Sequence, residues 1–360
     1  MSRRIAVKYA GVELDRAGRV AGHDSGATLV RRILRVFPGS IVVGAGPRRG
    51  EGFDVMPLEF LDPASAVVVN MDVLDSLDVV RQLRASATAQ GYGPETSPQV
   101  MNFLWWPPST YPEIEDRAAL ALSAALVPTF ADSERTAQEV RELVSRLVVK
   151  QLAERMRMGW VNLGFRLDHV RPRKERAAGA PPVVQYPATY LSERKRPELF
   201  LEVVERVRQQ VPIRVEVHLH ESQLTRDLAL RMGRKEWMWV GPLATRSDYW
   251  DDLSGTTAFL ATASEESYGM AYVEALAAGV VGVLPDLPWA RALLPAGYPL
   301  LYRTKDEAAA LLLRAVTEPA ACLAEVDAAV GGSLAEVLRT EHSDAVFDRA
   351  LRSRVAEWFG

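Results

Sequence analysis

The sequence predicts an α/β protein built from two doubly wound lobes, each a parallel sheet covered by helices. Three observations favour this fold class. A length of 360 residues corresponds to about two domains of roughly 150 residues. Short apolar runs alternate with stretches of helical periodicity, which is typical of parallel sheets. Residues 171–182 contain three prolines and no apolar periodicity, which indicates a linker between two such series.

The first lobe is expected over residues 1–170. Its predicted strands are residues 5–9, 40–43, 66–69, 100–104 and 126–130. Helical spacing predicts helices over residues 27–36, along residues 74–83, and from Ser133 to about residue 158. A long loop, residues 11–26, follows the first strand and is rich in Gly and Asp.

The second lobe is expected over residues 183–325. Its predicted strands are residues 183–186, 215–219, 237–240, 258–260 and 280–284. Pro197 is expected in the first turn of a helix, where its missing N–H costs nothing. The tail is mostly helical by pattern, and residues 326–360, with Phe347 and Trp358, are expected to cross back to the first lobe.

Charge and cysteine content exclude several classes of protein. The 43 basic and 46 acidic residues give a net charge of −3, so there is no overall electrostatic footprint for nucleic acid or membrane. Cys322 is the only cysteine, which excludes an internal disulfide framework and a Cys-based metal site. No apolar run approaches the length of a membrane span. We therefore expect a soluble, cytoplasmic protein.

The most informative stretch is residues 261–286, where a strand leads through a polar turn into a helix and a further strand. Glu266 lies in the turn, and Gly269 lets the backbone approach a ligand closely. The N–H groups that open the following helix favour an anion such as a diphosphate. Glu274, on that helix, can accept hydrogen bonds from two vicinal hydroxyls. The alternative is that both glutamates are only solvated charges.

This stretch resembles the retaining glycosyltransferases of GT-B fold that carry the Glu-x7-Glu motif, the family 4-like group. The resemblance is specific over residues 183–300 and coarse elsewhere, and it implies two Rossmann-like domains facing a central cleft. It implies that Glu266 holds sugar hydroxyls of a nucleotide-sugar donor and that Glu274 binds its ribose. The amides facing the donor phosphates would be those of Tyr268, Gly269 and Met270. Ser267 stands where the family usually has glycine.

A second patch, residues 183–200, is similar to the family's strand followed by Gly-Arg-x4-Lys-Gly and a helix. Lys195 matches the family lysine, whereas Tyr190 replaces the arginine. We expect Arg194 to supply the second positive charge, so that Glu266, Lys195 and Arg194 form the predicted catalytic group. Fixed positive charge would stabilise the departing diphosphate. The alternative is a solvated cluster of charges at the entry to a helix.

In the first lobe, Gly26 resembles part of the family's Gly-Gly turn, which touches the donor phosphates. The preceding loop, with His23 and Asp24, is expected to line the acceptor side. Trp105 and Trp106 stand where many relatives have a histidine. They either pack in the core or stack on a sugar or a base.

The resemblance implies transfer of a sugar to an acceptor hydroxyl with retention of configuration. It implies that the nucleotide sugar is a co-substrate and that the reaction needs neither a cofactor nor a metal. The donor would be a UDP-, GDP-, ADP- or dTDP-sugar. The acceptor would be a small molecule, a glycan, a lipid headgroup or a modified nucleobase, and the enzyme a monomer or a homodimer. The alternatives are a nucleotide-sugar epimerase or hydrolase on the same architecture, and a degenerate protein that binds nucleotide sugars without catalysis.

Overall fold

The computed structural model describes residues 3–22, 24–93, 95–175, 177, 179–242 and 245–360. The chain forms two compact units, one of Met1–Asn162 with Phe347–Gly360 and one of Leu163–Val346. The chain leaves the first unit after residue 162, rather than near residue 170, and returns at residue 347, rather than 326. The reason is that Phe165 pairs with the end of the second unit: its N–H donates to His342 O at 2.7 Å, and its carbonyl accepts from Asp344 N at 3.0 Å.

The first unit begins with a strand, a long loop and a helix. Its strands are β1 (Arg4–Lys8), β2 (Ile41–Val43), β3 (Arg48–Arg49), β4 (Asp54–Met56), β5 (Ala66–Asn70), β6 (Gln99–Leu104), β7 (Thr129–Ala131) and β8 (Met158–Trp160). Its helices are α1 (Ser25–Val36), α2 (Ser76–Ala89), α3 (Ile114–Leu126), α4 (Glu134–Leu147) and α5 (Lys150–Ala153).

The strands of the first unit form one sheet in the order β3-β4-β2-β1-β5-β6-β7-β8. Pairing is parallel from β4 to β8, and β3 is antiparallel to β4. Lys8 lies opposite Asn70, and Asn70 lies opposite Asn102. The carboxyl ends of β1, β5 and β6 therefore meet at one edge of the sheet, which is where open α/β sheets bind ligands.

Two sequence-based expectations for this unit are wrong. The helix expected from Ser133 to about residue 158 ends at Leu147, because Val148 and Val149 adopt extended backbone; α5 and β8 follow. β-Branched residues favour such a break. The strand expected over residues 126–130 lies at Thr129–Ala131, since α3 continues to Leu126.

The second unit repeats the alternation of strand and helix. Its strands are β9 (Val183–Tyr186), β10 (Arg214–Leu219), β11 (Met238–Pro242), β12 (Ala258–Leu260), β13 (Val281–Pro285) and β14 (Leu301–Tyr302). Its helices are α6 (Pro197–Arg208), α7 (Asp227–Gly233), α8 (Arg246–Gly255), α9 (Met270–Ala277), α10 (Pro288–Leu293), α11 (Lys305–Thr317), α12 (Pro319–Val330) and α13 (Leu334–Glu341). The last helix, α14 (Asp344–Phe359), begins here and continues into the first unit.

The second sheet has the order β11-β10-β9-β12-β13-β14, and its pairs are parallel. The order reverses between β9 and β12, so the crevice at the carboxyl ends of these two strands is the expected ligand position. Trp250, Phe259 and Trp289 are among the largest buried side chains of this core. Over the described ranges, no helix combines the length and the apolarity needed to span a membrane.

Candidate functional site

Lys195 and Glu266 meet at the carboxyl ends of β9 and β12. Lys195 lies in a short 3₁₀ turn, Glu193–Lys195, and its ammonium forms an ion pair with Glu266 Oε1. The same carboxylate oxygen accepts a hydrogen bond from the Tyr272 hydroxyl at 2.5 Å. Burial, the Glu266 charge and this hydrogen bond raise the pKa of Tyr272 well above its usual value, so the phenol remains a donor. Glu266 is only 7% exposed, and these two donors offset the cost of burying its charge.

The loop that carries Glu266 turns into α9 at Gly269. Gly269 has φ +89°, in the left-handed region that favours glycine. Over the described residues, Arg196 is the only non-glycine with positive φ. Ser267, which stands where the resembled family usually has glycine, therefore does not adopt left-handed backbone. In the first turn of α9 (Met270–Ala277), the N–H of Tyr272 donates to Gly269 O at 2.9 Å, whereas the N–H groups of Met270 and Ala271 precede the first hydrogen bond of the helix. They form an electropositive end next to Glu266.

Glu274 is held by a residue that the sequence analysis did not select. Arg246, the first residue of α8, grips the Glu274 carboxylate with both terminal nitrogens: Nη1 lies 3.2 Å from Oε2, and Nη2 contacts Oε1. The guanidinium also lies over the rings of Tyr249 and Trp250, at 5.2 and 5.6 Å. Glu274 is 3% exposed, whereas the Arg246 side chain is 51% exposed. The carboxylate is therefore fixed in position while its partner reaches solvent.

Arg194, the expected second cation, contacts the Glu266 loop through its backbone. Its carbonyl accepts from Ser264 N at 2.9 Å and from Ser264 Oγ at 3.2 Å, while the residue itself is exposed. The next carbonyl, of Lys195, accepts from Thr262 Oγ1 at 2.7 Å. Tyr190, which aligns with an arginine of the resembled motif, stacks on His220 at 5.2 Å. The backbone of residues 194–195 is thus fastened to the Glu266 loop.

Tyr268 anchors the same loop to both points where the chain crosses between units. Its hydroxyl donates to Leu163 O at 3.2 Å and lies 2.5 Å from His342 Nδ1. Leu163 is the first residue of the second unit, and His342 lies just before its end. His342 is 4% exposed, and burial lowers its pKa to about 4. The imidazole is therefore neutral near neutral pH.

We expect His342 to make the second unit acid-sensitive. The unfolded histidine takes up a proton as the pH falls through 6.5, whereas the folded one resists until about pH 4. Protonation thus favours the unfolded state, and stability falls by about 2 kcal/mol on going from neutral pH to about pH 5. Urea unfolding at both pH values measures the loss. Over the same change of pH, the His342→Gln variant should lose about 2 kcal/mol less unfolding free energy than the wild type. Equal losses in the two proteins would show that His342 is not the source of the acid sensitivity.

The acceptor-side residues expected in the first lobe fall in different environments. Gly26 lies in the first turn of α1, buried against Tyr9; a Cβ placed on it would come within 2.5 Å of the Tyr9 ring. Asp24 caps α1, accepting from Ala27 N at 2.9 Å. Trp105 and Trp106 are half-buried just beyond β6. His23 lies outside the described residues.

The sequence analysis did not select four residues that the structure places at or near these sites: Arg246, Tyr272, His342 and Tyr9. Arg246 is 28 positions from Glu274 in sequence and on a different helix, so no local spacing connects the two. Tyr272 lies six positions after Glu266, within the motif itself, and a search for donors near the motif glutamates would have found it. His342 lies in a tail that only the tertiary fold brings to the motif.

The pair of His218 and Asp252 is a weaker candidate for a functional site. His218 Nε2 lies 3.5 Å from Asp252 Oδ2, and the His218 ring lies 4.7 Å from that of Trp239. Within the described ranges, no group of three or more His, Cys, Asp or Glu side chains is arranged to hold a metal ion. The paired residues Lys195, Glu266 and Glu274, of which the two glutamates are buried, define the candidate site of the second unit.

The fold is the GT-B fold of glycosyltransferases, and this confirms the predicted class. The chain aligns with sucrose-phosphate synthase from Thermosynechococcus elongatus with a TM-score of 0.68 at 10% identity, covering 99% of both chains. Trehalose 6-phosphate synthase from Burkholderia multivorans gives a TM-score of 0.66 at 14% identity, covering 99% of this chain and 97% of that one. Anabaena HepE, in complex with UDP and glucose, gives 0.64 at 10% identity, covering 98% and 99%. Neither a protein-family model nor a curated protein sequence matches the chain.

Proposed function

We propose that the protein is a retaining glycosyltransferase that moves a sugar from a nucleoside-diphosphate sugar to an acceptor hydroxyl. The observation that carries the proposal is the convergence of Lys195, Glu266 and the start of α9 at the point where the second sheet reverses its strand order. An ammonium and open helix N–H groups suit a diphosphate. Two carboxylates beside them suit hydroxyl groups.

The donor is assigned to the second unit. Its diphosphate would lie against the start of α9, its ribose hydroxyls would donate to Glu274, and its sugar hydroxyls would donate to Glu266. A carboxylate has about four acceptor positions, so Glu274 can retain Arg246 and still accept from a ribose. The support is the burial of both glutamates and their fixed partners, because preorganised groups bind without a cost of reordering.

In the proposed reaction, the bond between the anomeric carbon and the diphosphate oxygen breaks as the acceptor oxygen bonds to the same face of that carbon. Negative charge grows on the departing diphosphate, and the Lys195 ammonium stabilises it. The acceptor proton passes to a phosphate oxygen of the leaving group, as the family resemblance implies. Glu266 orients the sugar, and its partner Tyr272 keeps that carboxylate in place.

The first experiment is a thermal-shift panel with UDP, GDP, ADP and dTDP. A nucleotide at a hundred times its dissociation constant stabilises the fold by about 2.7 kcal/mol. UDP is the first to test, because HepE was solved with UDP and glucose. The matching UDP-sugars are then supplied with candidate acceptors, and the anomeric configuration of the product is read by NMR. An inverted product would contradict retention, and release of free sugar alone would favour a hydrolase.

Lys195→Ala should lower turnover by roughly a hundredfold or more, since it removes the charge that meets the departing diphosphate. The matched control is Lys235→Ala, which breaks another lysine–glutamate pair of this unit, Lys235 with Glu205 at 2.6 Å. The control should keep its turnover within about twofold. Equal rates for Lys195→Ala and the wild type would remove Lys195 from the mechanism.

A further inference from the structure

An aromatic group lies at the carboxyl edge of the first sheet. Tyr9 follows β1, and Trp105 and Trp106 follow β6. The Tyr9 and Trp105 rings meet edge to face at 5.9 Å, and the two indoles lie 5.0 Å apart at 53°. All three side chains are half-buried. Tyr9, Trp105 and Trp106 are called the aromatic cradle below.

The cradle is held rigidly from beneath. A Cβ on Gly26 or Gly11 would approach the Tyr9 ring to 2.5 or 2.8 Å, so the ring packs closely against two glycines that leave no room for a side chain. Below the ends of the strands, the Asn102 amide donates to Ser123 Oγ at 3.0 Å and to Thr129 Oγ1 at 2.9 Å. A buried, satisfied network of this kind rigidifies the positions above it.

Carboxylates and one ammonium flank the cradle. Asp72 accepts from Lys8 Nζ at 2.9 Å and from Ala10 N at 2.8 Å, and Asp75 accepts from Lys8 Nζ at 2.6 Å. Asp72 bonds to the N–H of Ala10, the residue after Tyr9, and Asp24 lies two residues before Gly26, which packs against the Tyr9 ring. Burial, and then the charges of these two carboxylates, raise the pKa of Tyr9. Among these described groups, the three carboxylates of Asp24, Asp72 and Asp75 outnumber the one ammonium of Lys8.

This composition distinguishes among the possible acceptors. Indole rings that are partly accessible suit a flat apolar surface, such as the C–H face of a pyranose ring or a nucleobase. Carboxylates and a phenol suit hydroxyl groups. The excess of carboxylates repels a phosphate, so nucleic acid and phospholipid headgroups are disfavoured. A neutral sugar meets all three conditions.

We propose that the aromatic cradle binds the acceptor and that this acceptor is an uncharged saccharide, lying against Trp105 and Trp106 with its hydroxyls toward Asp24 and Asp72. The assignment of this sugar as the acceptor rests on the proposed function, whereas the binding of a sugar by the cradle does not depend on it. Trp105 and Trp106 stand where many proteins of the resembled family have a histidine, so the sugar-binding role proposed for them does not follow from that family's motif.

The test is calorimetric titration of the full chain, without nucleotide, with methyl glucosides, methyl galactosides, N-acetylglucosamine and glucose 6-phosphate. At least one neutral sugar should bind in the millimolar range, and more tightly than glucose 6-phosphate. Trp105→Ala and Trp106→Ala should each weaken this binding at least tenfold. The matched control is Phe60→Ala, because Phe60 is an exposed aromatic of the same unit beside the C-terminal end of α2. It should leave binding unchanged.

A second measurement avoids dependence on the alanine variants. The wild type is labelled with fluorotryptophan, the resonances are assigned with Trp105→Phe, Trp106→Phe and Trp160→Phe, and the same neutral sugars are added. The resonances of Trp105 and Trp106 should move, and that of Trp160 should not. The proposal is overturned if no neutral sugar of the panel binds, if binding survives both alanine substitutions, or if glucose 6-phosphate binds best. Nucleotide binding is measured separately, so its failure would count against the proposed function alone.

Discussion

Glu274→Gln is expected to weaken nucleotide binding by roughly a hundredfold, because two hydroxyls of the ribose would lose a charged acceptor. The substitution also leaves the Arg246 guanidinium without the carboxylate that it grips with both nitrogens. Glutamine keeps the size of the side chain, so the loss reports charge rather than packing. Isothermal titration with the nucleotide that gives the largest thermal shift measures the effect.

Two variants separate the possible causes. Glu236→Gln removes a charge from an exposed position of the same unit and should bind as the wild type does. Arg246→Lys keeps the positive charge and loses the two-pronged contact, so binding should weaken by only about tenfold if Arg246 acts by holding Glu274 in place. Wild-type affinity in Glu274→Gln would show that the ribose lies elsewhere.

Gly164→Ala is expected to cause the largest loss of stability. A Cβ at this position would lie 2.6 Å from Asp344 N and still closer to the Ser343 carbonyl. These are backbone atoms, which cannot turn aside as a side chain can. They belong to the pairing in which Phe165 bonds to His342 and Asp344. Overpacking against backbone costs about 3 kcal/mol, which lowers the melting temperature of a unit of this size by roughly 6–12 °C.

Gly332→Ala is the matched control. Apart from Gly332 and its two chain neighbours, no heavy atom of the described residues lies within 4 Å of its added Cβ, and its φ is not in the left-handed region. It should be neutral or stabilise the protein by up to about 1 kcal/mol, since alanine restricts the unfolded chain more than glycine does. Melting followed by calorimetry compares the two variants. Equal melting temperatures would show that residues 163–165 can move away from residues 342–344 at little cost.

Most strands that face helices on both sides could be predicted, because buried parallel strands read as short apolar runs. Residues 183–186 and 258–260 are examples, and both coincide with β9 and β12. The short strands β3 and β14 were missed, since two residues carry no periodicity. The end of α4 was also missed, because the apolar spacing typical of a helix continues past Leu147 although the backbone becomes extended at Val148.

The residues of the candidate site also fall into two groups, those that local sequence spacing could identify and those that it could not. Glu266, Gly269 and Glu274 lie within nine residues of one another, so local spacing was enough to place them on one turn and one helix. Lys195 could be selected only through its resemblance to a family motif, and its ion pair with Glu266 joins positions 71 apart in sequence. Arg246 and His342 had no local signal at all.

The sequence by itself determined the fold class, the turn at Gly269 and the helix that carries Glu274, because hydrophobic periodicity and glycine conformation act over a few residues. Only the tertiary structure decided the partners of the buried charges: Arg246 for Glu274, Lys195 and Tyr272 for Glu266, and His342 for Tyr268. A buried polar group must find a partner wherever the chain brings one. Which partner arrives depends on the packing of distant helices, and no spacing along the chain encodes it.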